Sequence, residues 1–125
     1  MARVTGLGGV FYKCDDVERT KRWYAEILGI SGDYGGLFPH GGDTPDGYSL
    51  LSPFKATTDY LDPSPAQFMI NLRVDDLDAM LAALADKGVE VLGTQSEEYG
   101  KFAWILDCDG IKIELWQQVG PLPAA

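Results

Sequence analysis

The spacing of apolar residues changes from a period of two to a helical period at two places in the chain. In Phe68–Val74 the residues alternate, with Ile70, Leu72 and Val74 on one side and Met69, Asn71 and Arg73 on the other. That pattern predicts a strand with two different environments. From Leu77 the spacing turns helical, gathering Leu77, Met80, Leu81 and Leu84 on one side. Asp75 or Asp76 stands where a short carboxylate can accept from the free N–H groups of a first helical turn. Gly88 stands where a left-handed residue closes a helix, so the spacing predicts a helix over Leu77–Lys87.

The same unit occurs earlier. Val-Phe-Tyr-Lys-Cys-Asp-Asp-Val-Glu from Val10 aligns with Ile-Asn-Leu-Arg-Val-Asp-Asp-Leu-Asp from Ile70, at an offset of 60. Strand parity, cap and helix stripe agree together, which reads as an internal duplication. By that parity Gly9, Phe11 and Lys13 share one face of a strand over Gly8–Cys14, while Val10, Tyr12 and Cys14 face a helix. The helix runs from Val17 to Leu28, packs through Val17, Trp23, Tyr24, Ile27 and Leu28, and stops at Gly29.

Shorter strands are predicted at Ile30–Tyr34, Gly36–His40 and Tyr48–Ser52, the last ended by Pro53, with a Gly/Asp/Pro loop at Gly41–Gly47. The second copy adds Val89–Leu92, Lys101–Leu106 and Ile111–Gln117. Asp107-Cys-Asp-Gly forms a tight turn in which Gly110 supplies the left-handed conformation. The order is βαβββ twice, an α+β fold in one domain over 1–125. Module 1 spans about 5–53, a turn-rich linker 54–66, and module 2 about 67–118.

Composition narrows the function. An apolar content of 46% suits a globular chain of 125 residues, and no run approaches the length of a membrane span. The N-terminus lacks the apolar core of a signal peptide, so the expected location is cytoplasmic. Cys14 and Cys108 have no metal-ligand spacing and read as free thiols. A net charge of −9 argues against nucleic acid as a partner. It suits solubility or, more sharply, a preference for cationic ligands.

Two βαβββ modules of this size resemble the vicinal oxygen chelate superfamily, which includes glyoxalase I, bleomycin-resistance proteins and extradiol dioxygenases. The resemblance is carried by Asp16 followed by Trp23-Tyr24 and Ile27-Leu28-Gly29, by Val74-Asp-Asp-Leu, and by Asp107-Cys-Asp-Gly-Ile-Lys-Ile-Glu-Leu-Trp. It implies sheets curled into a U around a cavity, four strand positions that bind a divalent metal, and a homodimer. Transferred position by position, the metal set is mostly missing. The first-strand ligand falls on Gly9, its second-module match on Met69, and no acid occurs between Asp46 and Asp59 for the first-module carboxylate. Only the last-strand carboxylate, Glu114, is kept. His40 is the single histidine, so a two-histidine iron site cannot be built, which disfavours a dioxygenase. No cofactor is expected, with a divalent metal left open.

On this resemblance Glu114 points into the cavity, where it is the candidate catalytic group. It is expected to pair with Arg73 or Lys112, or to accept from a cavity tyrosine. The candidate ligand-binding residues are Phe11, Lys13, Phe38, Tyr48, Phe54, Met69, Asn71, Arg73, Trp104 and Trp116, with Tyr60 and Phe102 as further aromatic candidates. Aromatic density of this kind suits a flat or apolar molecule, oriented by Asn71. Three functions stay open: a protein that binds or sequesters a small organic ligand, a glyoxalase-type lyase or isomerase working through a metal on Glu114 or by metal-free acid–base chemistry, and a non-catalytic dimeric accessory protein.

Overall fold

The computed structural model describes residues 2–30, 32–33, 35–41 and 44–121. Strand β1 (Val4–Cys14) leads into helix α1 (Val17–Leu28), then into β2 (Gly36–Gly41) and β3 (Thr44–Lys55). After the linker come β4 (Phe68–Val74), α2 (Leu77–Asp86), β5 (Gly93–Glu97), β6 (Gly100–Leu106) and β7 (Lys112–Gln118). The seven strands form one open mixed sheet in the order β2-β3-β1-β4-β7-β6-β5.

The duplication is visible in the register. Val10 pairs with Ile70, the residue it aligns with in sequence, where β1 and β4 run antiparallel at the centre of the sheet. On either side the pattern repeats: β1 pairs in parallel with β3, and β4 pairs in parallel with β7. Val10 lies opposite Leu51, and Ile70 opposite Ile113. Ser52 therefore occupies in the first half the place that Glu114 occupies in the second.

Both helices begin as the sequence predicts. Asp16 accepts from the Arg19 N–H and Asp76 from the Ala79 N–H. Gly29, at φ 70°, closes α1. Helix α2 lies on the outer face of the sheet. There Val74, Leu77, Ala103, Ile113 and Leu115 form a buried cluster, packed by Ile70, Leu72, Met80, Leu81 and Leu84. Helix α1 lies on the same outer side, with Tyr24 against Tyr12, yet it has no buried residue.

Several local expectations shift. Val4–Leu7 are already in β1, β3 continues past Pro53 to Lys55, and the second strand of the second half is Gly93–Glu97 rather than Val89–Leu92. Pro53 is tolerated because β2 ends its pairing at Gly36 opposite Leu51, which leaves the strand edge beside Pro53 without a ladder partner. No strand includes Ile30, Gly32 or Asp33, while Ser31 and Tyr34 lie outside the described residues. The turn at Asp107 holds as predicted: its Oδ1 accepts from the Asp109 and Ile111 N–H groups, and Gly110 has φ 82°.

The linker is not a passive connector. Leu61 has no exposed surface and packs with Phe11 and Met69 on the inner face of the sheet, flanked by Phe54, Tyr60 and Trp104. A buried leucine of this kind stabilises by roughly 1.5–3 kcal/mol. The linker thus closes one end of the inner face and carries Tyr60 to the site described next.

Candidate functional site

Strand β7 places Glu114 on the inner face, directly opposite Asn71 of β4 and Trp104 of β6. The carboxylate is 2% exposed. Three neutral donors meet its two oxygens. Asn71 Nδ2 donates to Oε1 at 2.6 Å, Trp104 Nε1 donates to Oε2 at 2.8 Å, and the Tyr60 hydroxyl also donates to Oε2. An indole N–H can only donate, so the carboxyl oxygen that meets Trp104 acts as an acceptor. These bonds offset the desolvation that burial imposes on the charge. Burial first, and the nearby Glu114 charge second, raise the Tyr60 phenol above its usual range, which keeps it protonated as a donor.

Among the described residues, neither Lys112 nor Arg73 forms an ion pair with Glu114. Lys112 Nζ donates to the Tyr60 carbonyl at 2.5 Å and lies over the Tyr60 and Trp104 rings. Arg73 donates to the Tyr48 carbonyl and to Gln118 Oε1, and stacks 4.8 Å from the Trp116 ring centre. Burial lowers the basicity of both. Of the three expected partners for Glu114, the tyrosine is the one found.

Above the carboxylate opens a cavity of about 270 Å³. Its walls are largely aromatic: Tyr48 and Phe102 flank Trp116, at 5.0 Å edge-on and 6.2 Å stacked respectively. Phe11 and Leu50 line the first-module side, Tyr60 the linker side, and Tyr99 the mouth. Glu114 and Asn71 also line the cavity. Among the described residues, Asn71 Oδ1 has no hydrogen-bond partner, although Asn71 is 1% exposed.

Of the residues expected to bind ligand, the structure thus brings Phe11, Tyr48, Asn71 and Trp116 to the cavity wall. Trp104 supports Glu114 from behind, and Arg73 stacks on Trp116 without lining the cavity. Met69 has no exposed surface and belongs to the core cluster with Leu61, and Phe54 stacks on Phe11 at 5.3 Å. Phe38 is misplaced by the sequence reading. It pairs with Ser49, one residue off the inward Tyr48 and Leu50, so it points to the outer side and is exposed. Lys13 lies beyond the cavity, opposite Phe54. His40 is exposed, with Nε2 bonded to Ser49 Oγ at 2.7 Å. Leu50 and Tyr99 were missed. Leu50 was legible in the alternation from Tyr48, whereas Tyr99 is brought near by the short β5–β6 turn.

The first-strand position also moves by one. The register between β1 and β4 slips at Gly8, with Leu7 opposite Leu72 but Gly9 opposite Asn71, a β-bulge. A Cβ on Gly8 would lie 1.8 Å from Asn71 Oδ1, inside the site. A Cβ on Gly9 would instead strike the Leu50 carbonyl at 2.2 Å. The bulge makes Gly8 the site-facing position.

The sequence matches the Glyoxalase/Bleomycin resistance protein/Dioxygenase superfamily over residues 6–115, and the chain belongs to that family. No curated protein matches it. Among solved structures it is similar to a Streptomyces coelicolor methylmalonyl-CoA epimerase variant in complex with 2-nitronate-propionyl-CoA, at 20% identity and a TM-score of 0.72, covering 94% of this chain and all of the other. A methylmalonyl-CoA epimerase from Mycobacterium tuberculosis aligns at 25% identity with a TM-score of 0.64, over 94% of this chain and 90% of the other. The Mn(II)-bound glyoxalase from Novosphingobium aromaticivorans aligns at 18% identity with a TM-score of 0.64, over all of this chain and 44% of the other.

The family can therefore hold a metal, but the residues here do not suit one. The places around Glu114 carry Gly8, Ser52 and the buried Met69, and both Glu114 oxygens already accept from side chains. Among the described residues no group of three His, Cys, Asp or Glu converges. One carboxylate and a thioether make a poor set for a hard divalent cation.

Proposed function

We propose that this chain binds a small organic molecule in the cavity above Glu114 without a metal. The observation that carries the reading is the closed set of bonds from Tyr60, Trp104 and Asn71 to Glu114 beneath aromatic walls. Such a site grips an apolar or flat body by its faces and orients one polar end at the floor. The volume lies just below the ~300–1,000 Å³ of drug-sized pockets, which favours a ligand of about one ring. In this reading the protein works in the cytoplasm as a homodimer; no described helix is long and apolar enough to cross a membrane.

The test is elemental mass spectrometry on tag-free protein, before and after exposure to zinc, nickel, manganese and iron, followed by thermal-shift screening of single-ring compounds. The expected result is no stoichiometric metal and a saturable rise in melting temperature with a subset of compounds. Stoichiometric, tightly held metal overturns it.

A second reading is favoured by Glu114 lining the cavity and by the epimerases among the similar structures. There Glu114 takes and returns a proton on a bound carbon acid, with Tyr60 and Asn71 fixing its orientation. Solvent deuterium appearing in a bound candidate substrate, and lost in E114Q, would place this reading first.

A further inference from the structure

We propose that the ligand is an organic cation that presents at least one N–H group to Glu114 and Asn71. The inference rests on the reading of the cavity as a ligand site and adds the charge and polarity of its occupant. Among the described residues Glu114 is the one cavity-lining side chain with a formal charge, and its three bonded partners are neutral donors. Their bonds bring no opposing charge, and Lys112 acts on Glu114 through space without forming an ion pair.

Around Glu114 and Asn71 the hydrogen-bonding capacity left open is that of acceptors, while Trp116 Nε1 in the wall is an unpaired donor. Oε1 receives a single donor, from Asn71, and a carboxylate oxygen has room for about two. Asn71 turns its amide nitrogen to Glu114 and so leaves Oδ1, a buried acceptor, with no partner among the described residues. An unpaired buried acceptor is costly, and a ligand N–H would relieve that cost. A ligand that offered only acceptors could serve the unpaired Trp116 Nε1–H but would leave Asn71 Oδ1 without a donor.

The walls point the same way. Aromatic faces attract cations, as Arg73 does where it stacks over Trp116 and Tyr48 at 4.8 and 5.9 Å from the ring centres; a ligand cation would use the ring surface that Arg73 leaves open. The inner-face cations Arg73 and Lys112 do not reverse this. Arg73 is directed at the Tyr48 carbonyl and Gln118, and Lys112 at the Tyr60 carbonyl, so neither lines the cavity. An anionic ligand would lie against the carboxylate with no cavity-lining cation to receive it.

Three probes of one shape and different charge test this: benzamidine, benzamide and benzoate, titrated calorimetrically into the full chain and into E114Q. The expected result is benzamidine at least tenfold tighter than benzamide, with no measurable benzoate binding. In E114Q benzamidine weakens at least tenfold while benzamide changes less than threefold. Benzamide equal to or tighter than benzamidine overturns the proposal, as does benzamidine binding that E114Q leaves unchanged. Circular dichroism reports whether E114Q folds; if it does not, the ranking on the native chain decides alone. If none of the three binds but neutral toluene or indole does, the cation proposal falls while the cavity reading stands. If no probe of any charge binds, both fall.

Discussion

Helix α1 and helix α2 open with the same device, an aspartate accepting from the third helical N–H at 3.1 Å. Beyond the first turn they part. Helix α2 sets Leu77 at 3% exposure and rests Met80, Leu81 and Leu84 on a buried cluster. Helix α1 leaves Trp23, Ile27 and Leu28 more than half exposed. The strands diverge in the same way: where β7 carries Glu114, its counterpart β3 carries Ser52. The capping signals are local and survive duplication with little context. Packing and chemistry depend on what the other elements bring, and each half has taken its own course.

The largest effect that would sharpen this contrast is expected at Leu115, in the cluster beneath α2. Leu115→Ala should cost about 2–5 kcal/mol in urea unfolding, since it opens a cavity in a packed core. Next comes the site side of the second half. Tyr60→Phe removes a hydrogen bond to a charged group and should cost about 1.5–3 kcal/mol near neutral pH. That variant also carries a pH signature. The folded state holds the Tyr60 proton more tightly than the unfolded chain, so the native protein loses stability as pH rises above about 10. The gap between native and Tyr60→Phe should therefore narrow in that range, and a gap that widens there would contradict the assignment. The smallest effect belongs to the first half. Ile27→Ala on α1 should change stability by less than about 0.5 kcal/mol in dilute solution. A loss rivalling that of Leu115→Ala would mean that the α1 face is covered in solution, and the contrast between the helices would dissolve.

Much of this was readable from the sequence. The offset of 60 between the halves reappears as the physical pairing of Val10 with Ile70, and the alternation in β4 assigned both of its faces correctly. Glu114 is indicated by the family resemblance, and the alternation of its strand agrees with its inward position. Three features were not legible, each for its own reason. Leu37 and Phe38 are adjacent and both apolar, so parity alone cannot say which points inward; pairing with Leu50 and Ser49 decides it. The bulge at Gly8 exists only relative to β4, and one strand read alone cannot reveal a slip in register. The partners of Arg73 and Lys112 are backbone carbonyls, which every residue possesses and no sequence pattern marks.

The overlap between a Gly8 side chain and Asn71 limits how the site could be rebuilt. An engineer wishing to install a metal centre would begin with histidine at position 8, yet its Cβ would fall on the Asn71 carbonyl oxygen. Asn71 would have to turn aside or be replaced, and either way Glu114 stands to lose one of the three donors that keep it in place. A side chain at position 8 and the bonds that hold Glu114 are set against each other, so a redesign has to treat positions 8, 52 and 71 together.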